Sequence, residues 1–341
     1  MRIAVVASPV TPLRPAQLGG AQAFICDLAA GLAARGHDIT LYCTEGSDLP
    51  GVKLHTVPVP LDAEAALVMP AGAAPPPAPG VAAALGAMFE AIAAERVDVI
   101  SQHAFDAPAF ELARGLPVLH TLHLPPLVDA VVASARTVPP SRLATVSRSC
   151  DASWRSAGVE AGQVLPNGVG DLPVGFTPTR TALIAGRISP EKGIEHAIAA
   201  ARAADLEVRI AGAHYDPAYE VDLSGAVHFG SLRREELRLL MAQSAVTICA
   251  VRWEEPFGMV AAEAQMAGCP VAGYRRGAMP EVVEDGVSGF LAAPDDIEAL
   301  TDAVRRCMAL DRVAVRSSAQ RRLGLDPALD RYEAALDQAA Q

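Results

Sequence analysis

The sequence predicts an α/β fold with two doubly wound domains, each built around a parallel β-sheet. At 341 residues, the chain has the length of about two domains. Hydrophobic residues make up 51% of the chain but aromatic residues only 4%, so its apolar part is mostly Ala, Val and Leu. Such side chains suit helices that pack tightly on a parallel sheet. Strand-like and helix-like segments also alternate in both halves.

The first half begins with a strand, a helix and a second strand. A short apolar run predicts a strand at 3–7, and a stripe of apolar residues spaced by four predicts a helix over 21–35. The run 39–43 predicts the next strand and completes a βαβ unit, the building block of a doubly wound sheet. Two further strands are predicted at 97–100 and 117–120.

The second half repeats this pattern. Apolar runs predict strands at 182–186, 208–212 and 246–250, and helices are predicted over 193–204 and 258–267. Ligands of doubly wound sheets bind at the carboxyl ends of the strands. We therefore expect the two domains to face each other across a shared cleft that holds the ligands.

The predicted domain limits follow from composition. Residues 1–170 form the N-terminal domain and 171–325 the C-terminal domain, with the division inside the Pro- and Gly-rich stretch 166–178. A last helix, within 326–341, is expected to pack back across the domain seam. The Ala-, Pro- and Gly-rich stretch 63–88 is predicted to be partly a surface loop.

Composition and charge argue against several classes of protein. The formal net charge of −11 argues against a nucleic-acid-binding protein, which needs a basic surface. The six cysteines include no Cys-x-x-Cys pair, so we interpret them as core residues. No run of 18 apolar residues avoids Pro, Gly and charge, which predicts no membrane span. Because the chain opens on a strand instead of a secretory signal, we expect a cytoplasmic protein.

A glycine-bounded loop at 186–193 carries the first candidate site. Gly186 permits close approach to a ligand, and Arg187 and Lys192 bring positive charge to a helix N-terminus, which attracts anions. Arginine binds phosphate through two parallel hydrogen bonds, and lysine adds a point charge. Lys192 is one of two lysines in a chain with 26 arginines. This pattern indicates a diphosphate site; a solvated basic turn that caps the helix is the alternative.

The second candidate site has two glutamates eight residues apart. Glu255 is predicted on a loop and Glu263 in the helix that follows, so they would reach different parts of one ligand. Carboxylates accept hydrogen bonds from sugar hydroxyls. Backbone amides at the start of this helix would contact a phosphate, and they belong to Phe257, Gly258, Met259 and Val260. The alternative is ordinary acidic residues, which are favourable near a helix N-terminus.

Two weaker candidates lie in the first half. Gly19 and Gly20 lack the Gly-x-Gly-x-x-Gly spacing of a dinucleotide site, which disfavours an NAD-dependent dehydrogenase. A glycine pair still lets backbone amides approach an anion, although a simple turn has the same sequence. His123 follows a predicted strand, where a histidine can hydrogen-bond a sugar hydroxyl or have a structural role.

Taken together, these stretches resemble the family 4 glycosyltransferases of the GT-B fold, which has two facing Rossmann-like domains. The order and spacing of the motifs over about a hundred residues carry the resemblance. They are Gly-Arg-x-x-x-x-Lys-Gly at 186–193, Val-His-Phe-Gly at 227–230, Glu-Pro-Phe-Gly-x-x-x-x-Glu-Ala at 255–264, Gly-Cys-Pro-Val at 268–271, Gly-Ala-Met-Pro-Glu-Val-Val at 277–283 and Gly-Val-Ser-Gly-Phe-Leu at 286–291. The first half matches more loosely.

The resemblance implies a retaining transferase that uses a nucleotide-sugar donor and needs no metal or other cofactor. It implies that Arg187 and Lys192 hold the donor diphosphate, with Gly20 offering its amide to a phosphate. It also implies that Glu255 and His123 contact the donor sugar and that Glu263 binds the ribose. The base would lie against the backbone of His228 and Phe229. We name Arg187, Lys192, Glu255 and His123 as the catalytic candidates.

The acceptor is less constrained by the sequence. Residues 1–170 carry ten Lys and Arg against fourteen Asp and Glu, a net charge of −4, with no basic amphipathic face. We therefore favour a soluble or weakly charged acceptor, such as a glycan or a natural product of the kind found in avilamycin assembly. A sugar-nucleotide epimerase, a glycoside phosphorylase and a non-catalytic nucleotide-sugar binder on the same fold are the alternatives.

Some positions depart from the family pattern. The Pro-Ser pair common before the first motif glutamate is replaced by the sequence Ala-Val-Arg-Trp-Glu at 250–254. Arg275 and Arg276 stand where a Gly-Gly is common, and Gly170 replaces an aspartate. These departures affect the part of the site expected to contact the donor sugar.

Overall fold

The computed structural model describes residues 1–15, 20–63, 78–171, 175–215 and 218–341. They form two compact units. Unit 1 comprises 1–166 together with 325–341, and unit 2 comprises 167–324. The chain therefore leaves unit 1 four residues before the expected boundary at 170 and returns to it at Leu325. No helix in the described ranges is both long enough and apolar enough to cross a membrane.

Unit 1 is built on a parallel sheet of seven strands in the order β3-β2-β1-β4-β5-β6-β7. The strands are β1 (Arg2–Val6), β2 (Asp38–Thr44), β3 (Lys53–Val57), β4 (Val99–Gln102), β5 (Val118–Leu122), β6 (Leu143–Thr145) and β7 (Gln163–Val164). The central strands β4 and β5 are buried along their whole length, as expected of strands covered on both faces.

Six α-helices of unit 1 lie within the described residues. They are α1 (Gly20–Ala34), α2 (Pro79–Ala94), α3 (Ala107–Leu112), α4 (Asp129–Ala135), α5 (Arg148–Ser156) and the last helix of the chain, α12 (Leu325–Ala340). Helix α12 packs on α1 and on strands β4 and β5. Gly31 of α1 permits this contact, since a Cβ there would lie 2.6 Å from Leu329 Cδ1. Arg35 adds ion pairs to Asp330 at 2.7 Å and Glu333 at 2.6 Å.

Unit 2 has a parallel sheet of six strands in the order β10-β9-β8-β11-β12-β13. The strands are β8 (Thr181–Ala185), β9 (Glu207–Ala211), β10 (Val227–His228), β11 (Val246–Cys249), β12 (Val271–Tyr274) and β13 (Gly289–Ala292). Its helices are α6 (Ile194–Ala203), α7 (Arg234–Gln243), α8 (Met259–Met266), α9 (Met279–Val282), α10 (Ile297–Cys307) and α11 (Arg312–Leu323). Ala197, Ala200 and Ala201 of α6 are fully buried, which allows close packing on the sheet.

The predicted α/β fold with two doubly wound sheets is confirmed, because both strand orders reverse direction in the middle of a parallel sheet. All six cysteines are buried and none forms a disulfide bond, which confirms their interpretation as core residues. The strand predicted at 97–100 runs instead over Val99–Gln102, with Ser101 and Gln102 buried. The last helix begins at Leu325. Pro327 lies in its first turn, where proline is tolerated.

The stretch 63–88, predicted to be partly a surface loop, is helical over residues 79–88, which belong to helix α2. Its buried face comprises Val81, Leu85, Met88, Phe89 and Ile92, spaced as on one side of a helix. Proline at the first position of a helix is favourable, so Pro79 begins this helix. The Pro and Gly content suggested a loop, but packing against the sheet decided the structure. Residues 64–77 lie outside the described ranges.

Candidate active site

The charged candidates of unit 2 follow the two strands between which the strand order reverses. The loop 186–193 leaves the carboxyl end of β8, and the loop that carries Glu255 leaves the carboxyl end of β11. Strands β8 and β11 are direct neighbours. In doubly wound sheets this reversal opens the crevice where ligands bind. The topology therefore brings the two strongest sequence motifs to one place.

The two loops are held against each other by their backbones. The Arg252 amide donates to the Glu191 carbonyl at 2.8 Å. Gly193 has φ +60°, and a Cβ at this position would lie only 2.0 Å from the Ala250 carbonyl oxygen. Only glycine permits this approach without a backbone shift. Gly277 has a similar role behind the second loop, where a Cβ would lie 2.3 Å from the Glu255 amide nitrogen.

Arg187 is held by one carboxylate and two aromatic rings. Its Nε lies 2.5 Å from Glu191 Oε1, and its guanidinium lies 4.9 Å from the Tyr215 ring centre and 5.7 Å from that of Trp253. The Ser189 hydroxyl donates to the same Glu191 oxygen at 2.7 Å. Burial raises the pKa of Glu191, but the Ser189 hydrogen bond and the Arg187 charge outweigh it and lower this pKa below its ordinary value.

The terminal nitrogens of Arg187 remain available for a ligand. Within the described ranges, only Nε of this side chain makes a hydrogen bond. The two terminal nitrogens can donate parallel hydrogen bonds to phosphate oxygens, which is the geometry that makes arginine a good phosphate ligand. The guanidinium is thus fixed in orientation but keeps its donors for an anion.

Lys192, Glu255 and Trp253 form the second half of the network. Lys192 Nζ lies 2.7 Å from Glu255 Oε2, and the Trp253 indole N–H donates to the same oxygen at 2.8 Å. Lys192 Nζ also lies 5.3 Å from the Trp253 ring centre, a cation–π distance. The structure therefore brings Arg187, Lys192 and Glu255 together, with the Trp253 ring in contact with both cations.

The N-terminus of α8 lies at the end of the second loop. Its N-cap residue, Gly258, has φ +95°, and in the described structure no side chain caps the first turn. The backbone amides of Met259 and Val260 therefore remain available to an anion. Phe257 is 5% exposed and anchors the turn in the core. Glu255 is on a loop and Glu263 lies in the second turn of the helix, as the sequence predicts.

Glu263 is separate from the Arg187–Lys192–Glu255 network. Its Oε1 lies 2.6 Å from Arg234 Nε and 3.4 Å from Arg238 Nη2, both on helix α7. All three side chains are buried. These two partners could not be predicted from the sequence, because nothing local relates α7 to α8.

His228 and Phe229 already use some of their polar groups within the sheet. His228 Nε2 lies 2.7 Å from the Gly212 carbonyl oxygen, and the Phe229 amide donates to the Ile210 carbonyl at 2.9 Å. Phe229 as a whole residue is 41% exposed. A base at this position would therefore meet the Phe229 ring and carbonyl and not its amide.

In unit 1, Gly20 begins α1, while Gly19 lies outside the described residues. His123 follows β5 and is buried. Its Nε2 lies 2.8 Å from His103 Nδ1, and His103 Nε2 lies 2.8 Å from Ser101 Oγ. Burial lowers the pKa of His123 to about 4. Burial also lowers the pKa of His103 well below its ordinary value, and repulsion from a protonated His123 lowers it further. Both rings are therefore neutral near pH 7, and the buried His123 Nδ1 has no hydrogen-bond partner in the described structure.

Sequence reasoning missed several residues that shape these sites. They are Ser101, His103, Glu191, Tyr215, Arg234, Arg238 and Trp253. Trp253 and Glu191 lie inside or beside motifs that the sequence had singled out, and a tryptophan in a chain with only two is a signal that was available.

The described residues contain no group of three or more His, Cys, Asp or Glu side chains that could hold a metal ion.

Two family models match the chain. The model for glycosyl transferases group 1 matches residues 175–322, and the model for Glycosyltransferase Family 4 matches residues 18–170. Together they span most of the chain. The chain belongs to the family 4 glycosyltransferases of the GT-B fold. This confirms the resemblance that the motifs carried.

Curated relatives match part of the chain. An MMP alpha-(1->4)-mannosyltransferase of Mycolicibacterium hassiacum is 34% identical over 146 residues, 39% of this chain and 35% of that protein. A D-inositol 3-phosphate glycosyltransferase of Mycolicibacterium smegmatis is 33% identical over 162 residues, 42% of this chain and 37% of that protein. The matches span about a third of the length of these relatives.

Solved structures match the whole fold. AviGT4, a glycosyltransferase involved in avilamycin A biosynthesis, superposes with a TM-score of 0.74 at 22% identity, covering 99% of this chain and 98% of that chain. The Anabaena protein HepE in complex with UDP-glucose gives a TM-score of 0.74 at 18% identity, covering 99% and 100%. At these identities the likeness establishes the fold.

Proposed function

We propose that this protein is a retaining glycosyltransferase that transfers a sugar from a UDP-sugar to a soluble acceptor. The observation that carries the proposal is the network of Arg187, Lys192 and Glu255 where the strand order of unit 2 reverses. Its two cations lie on loops next to an uncapped helix N-terminus. The HepE complex with UDP-glucose, in a protein of similar fold, supports UDP as the leaving group.

The chemistry follows from where charge develops. When the bond between the anomeric carbon and the phosphate oxygen breaks, negative charge builds on the leaving diphosphate and positive charge on the sugar ring. Arg187, Lys192 and the amides of Met259 and Val260 stabilise the negative charge. The acceptor hydroxyl attacks the same face of the anomeric carbon and gives its proton to the leaving diphosphate oxygen. The reaction then needs no protein nucleophile and no metal ion, and it retains the anomeric configuration.

The remaining roles fall to groups whose surroundings suit them. Glu255 holds a donor-sugar hydroxyl through the oxygen that is not bound to Lys192. Glu263 binds the ribose, and the base lies against Phe229. His123 offers the unpartnered Nδ1 to a hydroxyl, and its neutral ring avoids repulsion from the positive charge that develops on the sugar.

A nucleotide panel tests this proposal. Thermal unfolding is measured with UDP, GDP, ADP, dTDP and NAD. A ligand at about 100 times its dissociation constant adds about 2.7 kcal/mol to the free energy of unfolding, which raises the melting temperature by several degrees. We expect the largest shift with UDP and retention of configuration, by proton NMR, in the sugar released from UDP-glucose. A shift with NAD alone would contradict the proposal.

A further inference from the structure

A buried cluster of three charges in unit 2 takes no part in the diphosphate site. Arg234 and Arg238 are 7% and 6% exposed, and Glu263 is 7% exposed. The two arginines are four residues apart on α7, so they lie on the same face of that helix. Glu263 lies in the second turn of α8. The first turns of α7 and α8 follow the carboxyl ends of β10 and β11, the edge of the sheet where ligands bind.

The contacts of this cluster are asymmetric. Both arginines approach one oxygen of Glu263, Oε1, with distances of 2.6 Å from Arg234 Nε and 3.4 Å from Arg238 Nη2. The part of the chain that the structure describes gives Oε2 no hydrogen bond. One oxygen is therefore fixed by two cations, and the other is left to accept hydrogen bonds.

Stability alone does not account for this arrangement. Removing charges from water is costly, and apolar side chains of similar volume stabilise a fold as well as a buried ion pair or better. What the two arginines supply is a carboxylate held in one orientation, because the rotation of the Glu263 side chain is restricted by two directed contacts.

We propose that Arg234 and Arg238 are positioning residues that orient Glu263 so that its second oxygen accepts hydrogen bonds from the ribose hydroxyls of a nucleoside diphosphate. The pair thereby selects ribonucleotides over 2′-deoxyribonucleotides. This inference rests on the proposed function, which places the ribose at Glu263.

Calorimetric titration with UDP and 2′-deoxy-UDP tests the inference. A hydrogen bond to a charged group corresponds to about a 10- to 100-fold preference of the wild type for UDP. In Arg234→Met we expect this ratio to fall below about 3-fold, with the affinity for 2′-deoxy-UDP nearly unchanged. Arg233→Met is the matched control, since Arg233 is the exposed neighbour and pairs with Glu236. Its ratio stays at the wild-type value.

The outcomes separate a positioning role from a structural one. If Arg234→Met weakens both nucleotides equally and keeps the ratio, the inference is wrong. If that variant does not fold, the same titration is made with Arg234→Lys, which keeps the positive charge but loses the planar guanidinium. An unchanged ratio of the two affinities in this variant overturns the inference. Wild-type protein that binds both nucleotides equally also overturns it and leaves the proposed function intact. Wild-type protein that binds neither overturns the proposed function itself.

Discussion

In both units the strand order reverses between two neighbouring strands, β1 and β4 in unit 1 and β8 and β11 in unit 2, and polar side chains follow these strands. In unit 2 these side chains are charged and paired, with Arg187 bound to Glu191 and Lys192 bound to Glu255. In unit 1 the carboxyl ends of β4 and its neighbour β5 are followed by His103 and His123, which burial keeps uncharged near pH 7.

The difference shows how one topology supports two kinds of binding. Cations with free donors beside an uncapped helix suit a diphosphate. Neutral, buried histidines suit hydroxyl groups, which need hydrogen-bond partners but gain nothing from a net charge. The fold provides the same edge in each unit, and the side chains decide which ligand group binds there.

We call the carboxyl ends of β8 and β11 with Arg187, Lys192 and Glu255 the charged edge of unit 2. The largest effect is expected when this charged edge loses one cation. Arg187→Ala removes a group that stabilises the leaving diphosphate, so we expect release of UDP from UDP-glucose to slow by roughly 100- to 1000-fold. Arg180→Ala is the matched control, because Arg180 precedes β8 at its amino end, whereas Arg187 follows the carboxyl end. Equal rates for the two variants would show that the carboxyl edge has no special role.

A smaller effect, on stability, is expected when the two charged loops are forced apart. In Gly193→Ala the new Cβ meets the Ala250 carbonyl oxygen in a left-handed backbone conformation, which should lower the free energy of unfolding by roughly 2–4 kcal/mol. Gly230 has a similar φ of +65° but open space around it. Gly230→Ala should therefore cost only about 1–2 kcal/mol. Urea unfolding of both variants measures the difference, and equal losses would refute the close approach.

The neutral edge of unit 1, formed by His103 and His123, is tested by measuring the stability of the protein at acidic pH. The pKa of His123 is about 4 in the folded protein, below the value of about 6.5 expected in the unfolded chain. The unfolded chain therefore binds more protons, so stability falls as the pH drops below 6.5 and the loss is complete near pH 4.

Between pH 7 and pH 5 this amounts to about 2 kcal/mol for His123 alone. We expect urea unfolding of His123→Gln to show a pH dependence smaller than that of the wild type by this amount. The same pH dependence in both proteins would mean that the His123 ring is accessible to protons in the folded state.

Much of the fold was predictable because its signals are local. Apolar runs of strand length and the four-residue spacing on helices located the elements around the places where the strand order of each sheet reverses. The loop positions of Arg187, Lys192 and Glu255 followed directly from these elements. Helix α2 was missed in part because Pro79 and Gly80 suggest a loop, whereas its buried face is formed only by packing on the sheet.

The missed parts of the site depend on tertiary contacts. Arg234 is 29 residues from Glu263 in the sequence, and Ser101 and His103 are about twenty residues from His123. Only the register of neighbouring strands and the packing of α7 on α8 bring these groups together. Motifs identified the groups expected to touch the ligand, but not the groups that hold them in place.

The central claim, that the charged edge of unit 2 binds a nucleoside diphosphate, is tested most directly by titrating UDP into the wild type, Lys192→Ala and Lys53→Ala in a calorimeter. The chain has only these two lysines, and Lys53 is exposed and paired with Glu95 in unit 1. We predict that the wild type and Lys53→Ala bind UDP with the same affinity. Lys192→Ala should bind about 10- to 100-fold more weakly, as expected when a charged hydrogen bond to phosphate is lost. Equal affinity in all three proteins would contradict the account.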